Sequence, residues 1–289
     1  MDKEKLSTVN SIFIESEIEN IWWYLSTLEG WNNFLTDVAE HTENKNNNKI
    51  EIGDEVNFII GELSNSSLCI ILKEPNLIVF WDRYKGLLPD GTTRVYELHT
   101  SFELKQISEK LVKVTVKVDG YDTDEMMQWI RECGEMGWRQ TLINLKCILE
   151  LGLDLRNEIF NYPRIGVINY TATPEQLTEA KSPERGNYIR KVYSNSPSYH
   201  AGLIEGDIVT HINDKSVETY HKFVKALSSS SNRDHEVFLT IVRDGEILKK
   251  KIILTYDDQF TGMIDPAKTP LSEVEASRKE KSKIEDKQR

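Results

Sequence analysis

Residues 187–212 read NYIRKVYSNSPSYHAGLIEGDIVTHI, and the punctuation of this stretch decides the fold of the second half of the chain. Asn187 to Tyr193 alternates as a strand, and Ser194-Asn195-Ser196-Pro197 turns it, with Pro197 setting the backbone angle. In Ser198 to Leu203, Ala201 and Gly202 are small enough to let a short helix end against a sheet. Ile204-Glu205-Gly206-Asp207 then bends the chain tightly into a buried strand, Ile208 to Ile212. Further on, the pattern predicts a helix over Thr219 to Leu227, a strand over Glu236 to Arg243, a hairpin turn at Asp244-Gly245 and a strand over Ile247 to Leu254.

Tyr188-Ile189-x-x-Val192, then Ser196-Pro197 and Ala201-Gly202-Leu203, then Gly206-Asp207-Ile208-Val209 and Ile212-Asn213-Asp214 together resemble the PDZ domains that accompany bacterial high-temperature-requirement and tail-specific proteases. The resemblance implies a module over residues 158–257, a small β-barrel with helices. Its groove, between one strand and one helix, would take the C-terminal residues of a partner as an added strand. The loop that holds the free carboxylate precedes the first strand in such domains, and Tyr162-Pro163-Arg164-Ile165-Gly166-Val167 occupies that place. On this basis the expected peptide-binding residues are Arg164, Ile165, Gly166, Val167 and Ile168, with Tyr220 and Val224 from the helix. Gly166 permits the turned backbone that exposes amides. Arg164 adds charge attraction, or is a solvated rim residue. The polar stretch from Tyr170 to Arg185 reads as a long insert. No Gly-x-Ser-x-Gly nucleophile setting, HExxH, phosphate-binding loop or zinc-ligand cluster is present, so the sequence does not support protease function.

The first half has a different texture and holds all six Trp residues. Thr8 to Ile14 reads as a strand. Ser16 with Glu19 has capping-box spacing before a helix whose apolar stripe is Ile18, Ile21, Trp22 and Leu25, and Gly30 is expected to break it. Strand-like runs follow at Glu55 to Ile60, Leu68 to Leu72, Leu77 to Arg83, Thr93 to Leu104 and Val112 to Val118. Thr123 is the expected cap of a long helix. Its apolar face is Met127, Ile130, Gly134, Trp138, Leu142, Leu145 and Leu149, ending at Gly152. Gly134 and Gly137 within it leave room either for close packing or for an internal cavity.

Strand, short helices, antiparallel strands and a closing helix, together with Ile18-Glu19-Asn20-Ile21-Trp22, Gly30-Trp31-Asn32-Asn33-Phe34 and Ile52-Gly53-Asp54-Glu55-Val56, resemble the SRPBCC superfamily. Within this START and polyketide-cyclase-like helix-grip fold, the chain is most similar to the chaperone-ATPase-activator-homologue group. Asn44 to Asn48 and the two mid-helix glycines depart from that group. The resemblance implies an α+β helix-grip domain over residues 1–153, with an antiparallel sheet closing on a long C-terminal helix. It also implies an apolar ligand cavity walled by Phe58, Ile60, Trp81, Tyr96, Phe102, Ile130 and Trp138. Residues of these types are more often plain core than a ligand box. Asp82, Arg83, Tyr96, Glu97 and His99 form no recognisable dyad, and no catalytic residue, metal or cofactor is assigned.

The 289 residues carry a net charge of −11, which disfavours phosphate backbones and acidic lipid surfaces. Cys69, Cys133 and Cys147 are an odd set without metal spacing. On one helix, Cys133 and Cys147 would stand about 21 Å apart, too far for a disulfide. No apolar run approaches the ~20 residues of a membrane span, and without a secretory signal at the start the expected setting is cytoplasmic. Residues 258–289 are charged and poor in apolar side chains, the composition of a disordered tail. The expected function is that of a non-catalytic, bacterial adaptor. Its PDZ groove takes a protein C-terminus or extended peptide, and its first domain takes an apolar small molecule or a second protein. A cavity enzyme of the polyketide cyclase/hydrolase type and a co-chaperone-like ATPase regulator are the alternatives.

Overall fold

The computed structural model describes residues 5–36, 38–43, 45, 47–60, 63–87, 92–156, 159, 163–193, 196–230, 236–254 and 276. The tail expected to be disordered lies outside them apart from Ala276, as do Tyr162 and the turn residues 88–91, 194 and 195. The chain divides into two compact units, the first built mainly from residues up to 160 and the second mainly from 161 to 263.

In the first unit, β1 (Leu6–Glu15) leads into α1 (Ile18–Ser26) and α2 (Leu28–Asn32). The Ser16–Glu19 capping box does not form, because Glu17 takes the cap position without a side-chain bond and the Ser16 amide donates to the Lys110 carbonyl. Gly30 does not break the helix either. Thr27, in extended backbone, separates α1 from α2, and Gly30 sits inside α2 where a Cβ would stand 2.5 Å from the Trp23 carbonyl oxygen.

The remaining strands are β2 (Val38–His41), β3 (Glu55–Ile60), β4 (Leu63–Lys73), β5 (Leu77–Leu87), β6 (Thr93–Ser108) and β7 (Leu111–Tyr121). They pair antiparallel in the order β1-β7-β6-β5-β4-β3-β2. Helix α3 (Glu125–Leu151) closes the unit. Its cap is Asp124, whose carboxylate accepts from the Met127 amide, rather than Thr123. Period-two alternation turns Ile14, Phe58, Phe80, Phe102 and Leu104 inward, where all are buried. On α3, Trp138 meets the Phe102 ring at 5.2 Å, and the Asn144 amide donates to the Phe34 carbonyl.

The same helix guards the outer edge of β1. Lys146 Nζ donates to the Phe13 carbonyl at 2.7 Å, Glu150 accepts from the Glu15 amide at 2.7 Å, and Asn10 donates to the Glu135 carbonyl. The Phe13 carbonyl and the Glu15 amide, which would otherwise invite another strand, are thereby occupied. This is the helix-grip arrangement.

The second unit contains β8 (Val167–Thr171), α4 (Pro174–Glu179), β9 (Asn187–Val192), α5 (Pro197–His200), β10 (Ile208–Ile212) and β11 (Lys215–Ser216), then α6 (Tyr220–Ser230), β12 (Glu236–Arg243) and β13 (Glu246–Ile253). Strands run β13-β12-β10-β9-β8, with β11 beside β10. The expected small barrel is instead an open antiparallel sheet, with β8 and β13 as its edges. The expected long polar insert contains α4, opened by a capping box in which Thr173 and Gln176 satisfy each other's backbone amides.

Pro197 sits at the start of α5 with Ser196 as cap, and Asp207 is fully buried. Asp207 accepts from Arg243 Nε at 2.7 Å and Nη2 at 2.8 Å, and also from the Ile204 amide. The tight turn before β10 is therefore closed by a charge pair as well as by Gly206. Ile189, Val209, Ile212, Phe223, Leu227, Leu239 and Ile241 form the interior.

Candidate functional site

Strand β8 is the outer strand of its sheet, and α6 packs beside it. Its hydrogen-bond phase follows from two flanking bonds. Val167 faces Val192 across the ladder while the Tyr193 amide donates to the Gly166 carbonyl at 3.0 Å, so Val167 and Val192 are a non-hydrogen-bonded pair. At the other end Thr171 faces Asn187, with the Ala172 amide on the Gly186 carbonyl at 2.9 Å, which is the same phase. Alternation then directs the backbone N–H and C=O of Val167 and Asn169 away from β9, toward the open edge.

Just before the strand, Gly166 holds φ at +77°, a conformation that disfavours a Cβ. The Ile165 carbonyl accepts from the Ser198 amide at 2.9 Å and the Gly166 carbonyl from Tyr193. Both carbonyls of the loop are thus tied back to the body of the unit. Among the described residues, none accepts from the Gly166 amide. A loop with tied carbonyls and a left-handed glycine, running into an edge that no described strand pairs, can hold an anionic chain end and a short strand beyond it, as far as Thr171, whose outward amide and carbonyl are taken by Glu132 and Gln128.

The seven residues expected to bind peptide do gather around β8 and α6, in unequal roles. Ile165, Ile168 and Val224 are buried, while Val167 and Tyr220 are half-buried. Arg164 is half-buried and engaged within the chain. Sequence reasoning missed the parts that set the groove's geometry. The Thr171 hydroxyl accepts from the Tyr220 amide at 3.0 Å, tying the start of α6 to the end of β8. Asn169 donates to Asn187, which donates to the Val217 carbonyl, bracing the strand from behind. Asn and Thr at a strand end carry no periodic signal, so only the fold reveals these links.

In the first unit, the residues expected to wall a cavity divide. Phe58 and Phe102 pack on Trp31 at 4.6 and 5.5 Å and on Phe80 at 5.9 and 6.4 Å, with Trp138 against Phe102, so these rings fill the interior they were expected to line. Ile60 and Ile130 are half-buried. Tyr96 stacks on Tyr84 with centroids 5.1 Å apart and planes 10° apart. Burial raises both phenols, so they stay neutral near pH 7. Trp81 is not a wall residue. Strand alternation gives the inward places to Phe80 and Asp82 and leaves Trp81 outside, in a shallow pocket with Glu55, Ser66, Leu68 and Arg83, whose guanidinium lies 5.7 Å from the indole centroid.

Asp82, which sequence reasoning left without a role, is buried among hydroxyls. Ser67 and Thr100 each donate to it at 2.5 Å, and Asn65 approaches at 3.5 Å. Desolvation pushes its carboxyl up to about 6 against the pull of those bonds. Cys69, Cys133 and Cys147 form no disulfide among the described residues, and burial raises Cys69 to about 11. Among the described residues no cluster of His, Cys, Asp and Glu is arranged to hold a metal ion, and no helix is long and apolar enough to cross a membrane.

Comparison with known proteins bears on both units. A family model described as PDZ domain matches residues 163–254. Mitochondrial serine protease HTRA2 of Drosophila erecta is 34% identical over 87 residues, covering 27% of this chain and 21% of the protease. The Drosophila sechellia counterpart is 36% identical over 75 residues, covering 23% and 18%. The chain thus spans about a fifth of the length of these curated relatives. Among solved structures, the Aha1 dimer from Colwellia psychrerythraea is 18% identical and covers 51% of this chain and 98% of its own, with a TM-score of 0.37. The HtrA3 PDZ domain bound to a phage-derived ligand is 25% identical and covers 32% and 85%, with a TM-score of 0.28. Behind a first unit of helix-grip architecture, residues 163–254 of this chain are a PDZ domain.

Proposed function

We propose that this protein is a non-catalytic adaptor of the cytoplasm that captures the C-terminus or an extended strand of a partner protein along the open edge of β8. The observation that carries this reading is the edge itself, where Val167 and Asn169 turn their backbone groups outward directly after the left-handed Gly166. An incoming strand would satisfy those groups, and its carboxylate would meet the loop amides at Ile165 to Val167. Val167, Ile168, Tyr220 and Val224 would shape the subsites for its side chains, with Arg164 at the rim. The first unit would hold a small molecule or a second protein, and cysteines without a disulfide among the described residues suit a reducing compartment.

The test is binding of the full chain to a library of fluorescent peptides with free carboxyl ends. The best binders are then re-measured as amides, and against Gly166→Pro, which cannot adopt the required positive φ. Saturable binding that is lost both on amidation and in the variant is the expected result. Equal binding of acids and amides would replace carboxylate capture by strand addition alone. Absence of binding in every format would end the adaptor reading.

A further inference from the structure

The interior of the helix grip is apolar at one end and polar at the other. Around Trp31, Phe58, Phe80 and Phe102, ring packs on ring. Further along the same strands the inward positions become Asn65 and Ser67 on β4, Asp82 and Tyr84 on β5, and Tyr96 and Thr100 on β6, with the apolar Leu98 between these last two and opposite Asp82. Asp82 is 3% exposed, and its three hydrogen-bond partners, Ser67, Thr100 and Asn65, are all neutral donors. None of the ion pairs among the described residues includes it. His99, the basic side chain that acts on it electrostatically, is exposed on the opposite face of β6.

A buried carboxylate without a cation is costly to maintain, and a neutral amide would satisfy the same hydroxyls at lower cost. The arrangement therefore has the form of one half of an ion pair. What surrounds it suits the other half. Tyr84 and Tyr96 present stacked rings, and the faces of such rings attract organic cations. Tyr84, Tyr96 and Tyr121 lie close enough to act on one another electrostatically, and Asp82 acts on the first two. Helix α3 passes over this end with Gly134, where a Cβ would stand 3.2 Å from the Tyr121 hydroxyl, and with Gly137, where a Cβ would meet nothing within 4 Å. Two mid-helix glycines weaken α3, and at Gly134 the missing side chain lets the helix backbone approach the Tyr121 hydroxyl.

We infer that the polar end of the helix-grip interior binds an amine, a small apolar molecule bearing one protonated nitrogen, with Asp82 as its counter-ion and Tyr84, Tyr96 and Tyr121 around it. The inference narrows the small-molecule half of the proposed function and is independent of the peptide groove.

Calorimetric titration of the full chain at pH 7.5 with phenethylamine, 2-phenylethanol and 3-phenylpropionate tests it. Phenethylamine is expected to bind saturably and at least tenfold more tightly than the alcohol, with no binding of the acid. Asp82→Asn should weaken the amine at least tenfold and leave the alcohol unchanged. Gly134→Met, which removes a helix-weakening glycine and fills the space beside Tyr121, should abolish both, and it serves alone if the Asn variant does not fold. Equal affinity for amine and alcohol, or amine binding unaffected by the variants, overturns the amine site while leaving a neutral ligand for the unit. Binding of none of the three overturns the amine site and the small-molecule reading together, and peptide capture by the PDZ groove is untouched by either result.

Discussion

Two deeply buried aspartates show how much depends on a partner. Asp207 has Arg243 in a two-point contact, and the pair closes the turn before β10. Asp82 has only hydroxyls and an amide, and burial pushes its carboxyl up to about 6, above the ~3.9 of an unfolded chain. Between those values the folded state holds more protons than the unfolded one, so this group's contribution to stability is full below pH ~4 and is lost as pH rises through about 6. A shift of roughly two units corresponds to about 3 kcal/mol. Asp54, Asp124, Glu150 and Asp154 have lowered pKa values and act in the opposite sense over the same acidic range, so the useful quantity is a difference between two proteins. Urea unfolding of wild type and Asp82→Asn at intervals from pH 4 to 8 should show the variant gaining on the wild type as pH rises. Parallel curves would mean that Asp82 is not desolvated in solution. Neither aspartate's circumstance was legible locally. Gly206-Asp207 reads as a turn, but Arg243 is 36 residues away, and the residues around Asp82 come from three strands.

At the scale of elements, legibility followed the strength of the periodic signal. The long apolar stripe of α3 and the alternation of β5 to β7 were readable because many residues repeat one instruction. The four-residue β2 was missed, being too short to show a period. Trp81 was expected on a cavity wall from the resemblance, against the alternation of its own strand, and Phe80 holds the inward place. The α3 glycines offer a direct test of how the helix is packed. A Cβ at Gly137 meets nothing, so Gly137→Ala should stabilise the protein by up to about 1 kcal/mol through helix propensity alone. Gly134→Ala should gain less, because the Tyr121 hydroxyl must yield a few tenths of an ångström. Thermal midpoints of the two variants measure this, and a larger gain at position 134 would contradict the packing described for Tyr121.

Across the whole molecule, the two halves were legible for different reasons. The PDZ domain announces itself in contiguous turn residues, from Ser196-Pro197 to Gly206-Asp207, each tied to a local backbone requirement. The helix grip is legible only as an order of elements, because it is held together by residues far apart in the chain, 110 positions in the bond from Asn144 to Phe34 and 133 in that from Lys146 to Phe13. Each unit encloses its own apolar interior, one centred on the Trp31–Phe102 rings and the other on Ile189, Val209 and Leu239. Cores of this kind are expected to melt as separate cooperative units, giving two transitions in scanning calorimetry of the full chain. The assignment can be made by substitution. Gly186→Ala places a Cβ 2.4 Å from the Val209 carbonyl oxygen and should lower only the PDZ transition, and Leu104→Ala should lower only the other. A peptide that occupies the β8 edge should raise the first of these transitions and leave the second where it is. If both substitutions displaced one common transition, the two interiors would be a single cooperative structure, and a ligand in either would be felt in the other.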